Sequence, residues 1–266
     1  MTAEIIRNYR ARNFLTAVAV LRDKIEAPGA YPFTIPAIGA LREIEFEQPV
    51  TFFIGENGSG KSTLLEAIAV RWGLNPEGGS RNFSFSTRAS HSSLMDYLRL
   101  VRSPRRVRDS FFLRAESYFN VATQIDRLDE DPLAGPPIIR HYGGRSLHEQ
   151  SHGESFFALF MNRFGADGFY VLDEPEAALS PSRQLAFLTR LHELVQADSQ
   201  FLIATHSPIL MAYPNAAIYQ LGDGAPSIIA YRETEHYRVT RNFLTRTGQM
   251  LDILLNEDGE PEPSEG

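Results

Sequence analysis

Gly55-Glu56-Asn57-Gly58-Ser59-Gly60-Lys61-Ser62 decides the reading of this chain. The stretch fits G-x-x-x-x-G-K-[ST], the spacing of a phosphate-binding loop. Before it runs Val50-Thr51-Phe52-Phe53-Ile54, short, apolar and rich in β-branched and aromatic residues, which predicts a buried strand. After it, Thr63 to Trp72 carries Leu64, Leu65, Ile68 and Trp72 on one face at helical spacing, and Gly73 is placed to end the helix. Strand, glycine loop and helix together are the context the motif requires. Glycines let consecutive N–H groups turn inward around phosphate oxygens, and the helix N-terminus adds partial positive charge beneath them. Gly55, Glu56, Asn57, Gly58, Ser59, Gly60, Lys61, Ser62 and Thr63 are therefore the expected nucleotide-binding residues. Lys61 can reach the β- and γ-phosphates, and the Ser62 hydroxyl can ligate Mg²⁺. ATP and Mg²⁺ are the expected cofactors.

Three further segments carry chemistry. Phe169-Tyr170-Val171-Leu172-Asp173-Glu174-Pro175 is an apolar strand ending in two carboxylates. In α/β folds that edge binds ligands. Asp173 suits the outer shell of Mg²⁺, and Glu174 can act as general base on the attacking water. An acidic cap on a core strand is the plain alternative. Phe201-Leu202-Ile203-Ala204-Thr205 reads as the next buried strand and leads into His206-Ser207-Pro208. The distance from Asp173 to His206 holds one helix and one return strand, which puts His206 at the edge of the adjacent parallel strand. There a histidine can touch the γ-phosphate and the attacking water. Ser151-His152-Gly153-Glu154 opens an apolar helix, Phe156 to Phe164; Ser151 could cap it and its N-terminus could bind phosphate, although Ser-x-Gly-Glu is also an ordinary helix start.

Composition bounds the rest. The 266 residues suit one large domain, here 1–255, with a variable insertion over about 75–150. Hydrophobic residues make up 43% of the chain, enough for a packed core, and no stretch has the roughly 20 apolar residues of a membrane span. No cysteine is present, which excludes thiolate metal sites and cysteine nucleophiles. The polar start, Met1 to Arg12, and the use of ATP predict a cytoplasmic protein with no membrane insertion. The net charge of −7 gives no global attraction to nucleic acid. Residues 256–266 are acidic and read as a disordered tail.

Strands are expected at Phe14–Leu21, Leu41–Phe46 and Ser110–Arg114, and an edge strand at Ser227–Tyr231. The first two, with Val50–Ile54, form a strand-rich N-terminal layer. Leu94–Val101 is expected as a short helix, Glu116–Leu128 as a helix, residues 131–144 as a loop and Thr240–Leu255 as a closing helix. Ser180-Pro181 starts another helix, with Leu185, Leu188, Leu191, Leu194 and Val195 on one face. Strands alternating with helices argue for an α/β fold with a mainly parallel central sheet.

In order and spacing these motifs resemble the ATP-binding-cassette (ABC) type P-loop ATPases. Gly55–Ser62 corresponds to Walker A, Leu172-Asp173-Glu174-Pro175 to Walker B, Ser151–Glu154 to the signature, Ala178-Leu179-Ser180 to the D-loop and His206 to the switch histidine. The chain is similar to stand-alone ABC-like ATPases without transporter domain or coiled coil. Departures are His152 and Glu154 in the signature and Ser180 in the D-loop; no Q-loop glutamine is evident, and Glu116 is the candidate for that metal-side position. The resemblance implies a P-loop fold with an N-terminal antiparallel layer and an ATP-sandwich homodimer. In it Lys61, Ser62, Asp173, Glu174 and His206 of one copy would meet Ser151 and Gly153 of the other. Tyr31 and Phe33 are both candidates for stacking on adenine, and both could be core. The segment from 116 to 151 leaves no room for the helical subdomain of transporter subunits, and no heptad run matches the coiled coil of SMC-type repair relatives. The expectation is an ATP hydrolase that switches or remodels an unknown protein partner; a transporter nucleotide-binding subunit and a nucleic-acid-linked repair or defence ATPase are the alternatives. Five arginines between Arg99 and Arg108 could contact nucleic acid, an acidic partner or phosphate, or form a solvated face.

Overall fold

A computed structural model describes residues 11–76, 78–79, 92–114 and 152–255. The expected helix at Glu116–Leu128, the loop at 131–144, the acidic tail and the candidates Glu116 and Ser151 lie outside the described residues. The fold expectation holds: the molecule is α/β, with a mostly parallel sheet and a separate antiparallel one.

The large sheet has the order β5-β6-β7-β3-β8-β9. Its strands are β3 (Val50–Ile54), β5 (Asp109–Arg114), β6 (Gly168–Asp173), β7 (Gln200–Ala204), β8 (Ala217–Gln220) and β9 (Ser227–Ile228). All neighbours are parallel except the β8–β9 edge pair. β3, β6 and β7 are buried along their whole length, the pattern of strands covered on both faces. Register aligns Phe53, Ala204, Asp173 and Arg114 in one row near the carboxyl edge. That row positions the site.

The antiparallel sheet has the order β2-β1-β4, from β1 (Leu15–Val20), β2 (Glu43–Glu45) and β4 (Leu98–Arg102). Two expectations change here. Val50–Ile54 is the inner strand between β7 and β8, not a member of the N-terminal layer. Leu94–Val101 is not a helix but a short 3-10 turn, Ser93–Tyr97, followed by β4. Apolar residues at 94, 98 and 101 fit helical spacing, but pairing with β1 wins: Leu98 is buried, Arg99 exposed and Leu100 intermediate, a two-residue period.

Helix α1 (Pro36–Ala40) is a single short turn; α2 (Lys61–Trp72) follows the glycine loop. α2 lies between the two sheets, contacting β4 on one side and β6 and β7 on the other. Leu64, Leu65, Ile68 and Trp72 are buried there as expected, and Gly73 ends the helix in the left-handed conformation (φ 103°), its N–H bonding back to Ala69 and Val70 carbonyls. Trp72 packs on Phe169 with ring centroids 4.3 Å apart. α3 (His152–Arg163) and α4 (Pro181–Gln196) pack through stacked Phe160 and Phe187, 4.0 Å apart. Ser180 caps α4 by accepting the Arg183 N–H. The buried face of α4 is Gln184, Phe187, Leu191, Leu194 and Val195; Leu185, expected inside, is 59% exposed because it sits a quarter turn beyond Gln184.

A buried side chain knits the two sheets. Gln200 of β7 accepts the N–H groups of Phe14 and Leu15 on its Oε1, both at 2.9 Å, and its Nε2 donates to the Leu15 carbonyl at 2.8 Å.

The chain divides into two compact units at Ile229/Ala230. The expected edge strand ends after Ile228, where Tyr231–Glu233 forms a 3-10 turn instead. The second unit holds α5 (Glu235–Thr245), capped by Thr234, and α6 (Thr247–Leu255). The single helix expected over Thr240–Leu255 is thus two helices, and the first starts earlier.

Candidate active site

The ends of four adjacent strands converge. β3 runs into Gly55, β6 into Glu174, β7 into Thr205 and His206, and β5 ends at Arg114. In the glycine loop Gly55, Gly58 and Gly60 all take positive φ (146°, 82° and 98°), where a β-carbon is disfavoured. Lys61, at the first helical position, is buried and donates from Nζ to the carbonyls of Gly55 (2.8 Å) and Glu56 (3.0 Å). Burial lowers its pKa from the ordinary lysine value, while Glu174, Asp173 and Glu176 oppose the shift.

Ser62 donates its hydroxyl to Asp173 Oδ1 at 3.0 Å, so the motif serine and the strand-end aspartate meet. Asp173 is buried and its Oδ2 lies 3.4 Å from Arg114 Nε. Glu174 holds a left-handed backbone (φ 50°), and its N–H bonds the Ala204 carbonyl at 3.0 Å. That conformation is uncommon for a residue with a β-carbon and turns the chain sharply off the sheet. Its Oε1 stands 3.5 Å from His206 Nε2. Lys61, Ser62, Asp173, Glu174 and His206 therefore gather at one sheet edge.

Two oxygen donors, the Ser62 hydroxyl and the Asp173 carboxylate, suit a hard cation. Among the described residues no group of three or more His, Cys, Asp or Glu could enclose a metal. That small donor set fits Mg²⁺, which keeps waters and shares substrate phosphates rather than sitting in an all-protein cage.

Gly153 lies in the first turn of α3 against the turn that follows Glu174. A β-carbon there would stand 2.4 Å from the Ala178 carbonyl oxygen, so this glycine has a packing reason within its own chain. Phe33 is buried and packs edge-on against Tyr97, so it is core. Tyr31 is 61% exposed, and its hydroxyl lies 3.3 Å from the Thr63 hydroxyl. The arginine run is largely structural. Arg102 stacks over Trp72 at 4.1 Å, and Arg105 and Arg108 both pair with Asp167.

Three contributors escaped the sequence reading. Arg114 bridges Asp173 and Glu66, donating to Glu66 Oε2 at 2.9 Å. Glu176 accepts the His206 backbone N–H on Oε1 at 2.5 Å. Gln184 accepts the Ser207 hydroxyl at 2.5 Å. An arginine closing the buried run Phe111–Leu113, and a further carboxylate just after Asp-Glu-Pro, were the available signals for the first two.

Residues 35–127 match a family model described as "AAA domain", and residues 138–212 match one described as "AAA domain, putative AbiEii toxin, Type IV TA system". No curated protein matches the chain. Among solved structures the chain is similar to cbiO1 from Clostridium perfringens, part of the ABC transporter complex cbiONQ, at 15% identity over 90% of this chain and 100% of that one (TM-score 0.49). It is similar to the SMC head domain from Thermotoga maritima at 18% identity over 82% and 98% (TM-score 0.43). An ATP-binding cassette of an ABC transporter matches at 19% identity over 91% and 99% (TM-score 0.46). The glycine loop in its strand-to-helix setting, with the carboxylate and histidine strand ends at the same sheet edge, agrees with both AAA-type domain matches.

Proposed function

We propose that the chain binds Mg·ATP in the Gly55–Ser62 loop, closes head to tail with a second copy, and hydrolyses ATP to switch or remodel a partner protein. The observation that carries this reading is the meeting of Ser62 with Asp173 and of His206 with Glu174 beside Lys61. Lys61 exchanges its two carbonyl partners for β- and γ-phosphate oxygens. Ser62 and Asp173 would hold Mg²⁺, which when bound neutralises charge on those oxygens. Glu174 takes the proton of the attacking water as its oxygen bonds to the γ-phosphorus and the bond to ADP breaks. His206 holds the water and γ-phosphate in line. Tyr31, exposed with its hydroxyl beside that of Thr63, is the aromatic this reading assigns to adenine. The partner copy supplies the Ser151–Gly153 segment. The toxin–antitoxin description attached to residues 138–212 supports action on a cellular partner over a transport role.

The test is the solution mass of Glu174→Gln with and without Mg·ATP. A shift from monomer to dimer, with turnover abolished, is expected. Lys61→Ala is expected to weaken nucleotide binding and remove the shift. Glu174→Gln turning over like wild type would sink the base assignment; bound ATP without dimerisation would sink the sandwich.

A further inference from the structure

The turn after β6 and the turn after β7 are bolted together by side chains with no role in the reading above. Glu176 lies in the 3-10 turn Pro175–Ala178. Its Oε1 accepts the His206 N–H. Its Oε2 is buried without a hydrogen-bond partner among the described residues. On the far side of His206, Ser207 donates to Gln184, whose Nε2 donates to the Leu179 carbonyl at 3.1 Å. Thr205, Ser207 and Gln184 are all buried. The main chain is therefore pinned on both sides of His206, while the imidazole points at Glu174.

Stability alone does not account for a carboxyl at position 176. A buried carboxyl with an idle oxygen is costly, and an apolar residue of like size would avoid that cost. What the carboxyl supplies, and an apolar side chain cannot, is an acceptor at the His206 N–H. We infer that Glu176 is a positioning residue for hydrolysis, holding the His206 main chain so that Nε2 stays in reach of Glu174 and the γ-phosphate. This rests on the ATPase reading above. A displacement of the imidazole by about 1 Å can lower turnover by orders of magnitude while leaving nucleotide binding intact, since Lys61 and the glycine loop carry the binding. Burial pushes the Glu176 carboxyl above its ordinary pKa, toward the neutral acid that a glutamine copies.

The test uses the full chain, with kcat and KM for Mg·ATP and the Kd of a fluorescent ATP analogue. Glu176→Ala should lower kcat by about tenfold or more with KM and Kd within about twofold. Glu176→Gln should return kcat to within about threefold of wild type, because its amide oxygen can accept the same N–H. Should the alanine variant fail to fold, Glu176→Met keeps the bulk, lacks the acceptor and is expected to behave as alanine would. Three results would overturn the inference: kcat unchanged without the acceptor, kcat and nucleotide affinity falling together, or glutamine as impaired as alanine. A wild type that binds nucleotide and never hydrolyses it overturns the ATPase reading and this inference with it, and is told apart because no variant need be compared.

Discussion

Replacing Gly153 with alanine separates the packing of the α3 start from its proposed sandwich role. The added β-carbon would lie 2.4 Å from the Ala178 carbonyl oxygen and 3.3 Å from Arg183 Nη1. An ordinary carbon–oxygen contact is roughly 3.3 Å or more, so one side must give by about 0.9 Å. The obstacle is backbone, in the 3-10 turn that carries Glu176 and follows Glu174. Overpacking of this kind costs about 1–3 kcal/mol, and alanine's better helix propensity returns at most about 1 kcal/mol. A net loss of about 1–2 kcal/mol corresponds to a fall in Tm of roughly 2–8 °C for a chain of this size. The assay is thermal unfolding monitored by circular dichroism, with Gly165→Ala as reference, since a β-carbon at Gly165 would meet nothing within 4 Å. ATP turnover should fall as well, because the displaced turn holds the proposed base, Glu174, and the His206 anchor. A Gly153→Ala melt equal to that of Gly165→Ala would refute the argument and leave this glycine to the partner copy alone.

Two further outcomes are expected. Tyr170→Phe should destabilise by about 1–3 kcal/mol in thermal unfolding, because the buried hydroxyl accepts the Gly165 N–H and shares its one proton between Asp109 and the Gly165 carbonyl; turnover of the surviving folded protein should change little, as the hydroxyl is remote from the sheet's carboxyl edge. Glu176→Gln should raise Tm at about pH 8, and the gain should vanish toward pH 4.5. The sign follows from the raised carboxyl: the folded chain holds that proton more tightly than the unfolded one, so the stabilisation is complete below the unfolded value and fades as pH rises through the folded value. Melts across that range check it, and a gain that does not depend on pH would be contrary to the argument.

The site was legible where chemistry and periodicity fall on contiguous residues. Gly55–Ser62 between a buried strand and a one-faced helix could be read locally, and so could Asp173-Glu174 and His206 at the ends of unbroken apolar runs. What stayed hidden depends on contacts between distant segments. β4 is ambiguous by itself and becomes a strand because β1 offers an open edge. β8, four residues between Asn215 and Gly222, is too short for its alternation to stand out. Leu185 was misplaced because a polar residue, Gln184, takes the inward position in order to hold Ser207. Arg114 and Glu176 belong to the site through partners on other elements, and no spacing within their own segments announces that.

The Gln200 amide behaves as a displaced peptide unit: it offers a donor and an acceptor to Phe14 and Leu15 as a neighbouring strand would. Its three bonds are directional and dry, so sliding β1 by one residue would strand all of them and turn Phe14 out of the core. The joint therefore forbids shear between the layers. In the cycle proposed above, the two sheets would travel as one chassis, and its strokes would fall to the turns bolted onto the rim.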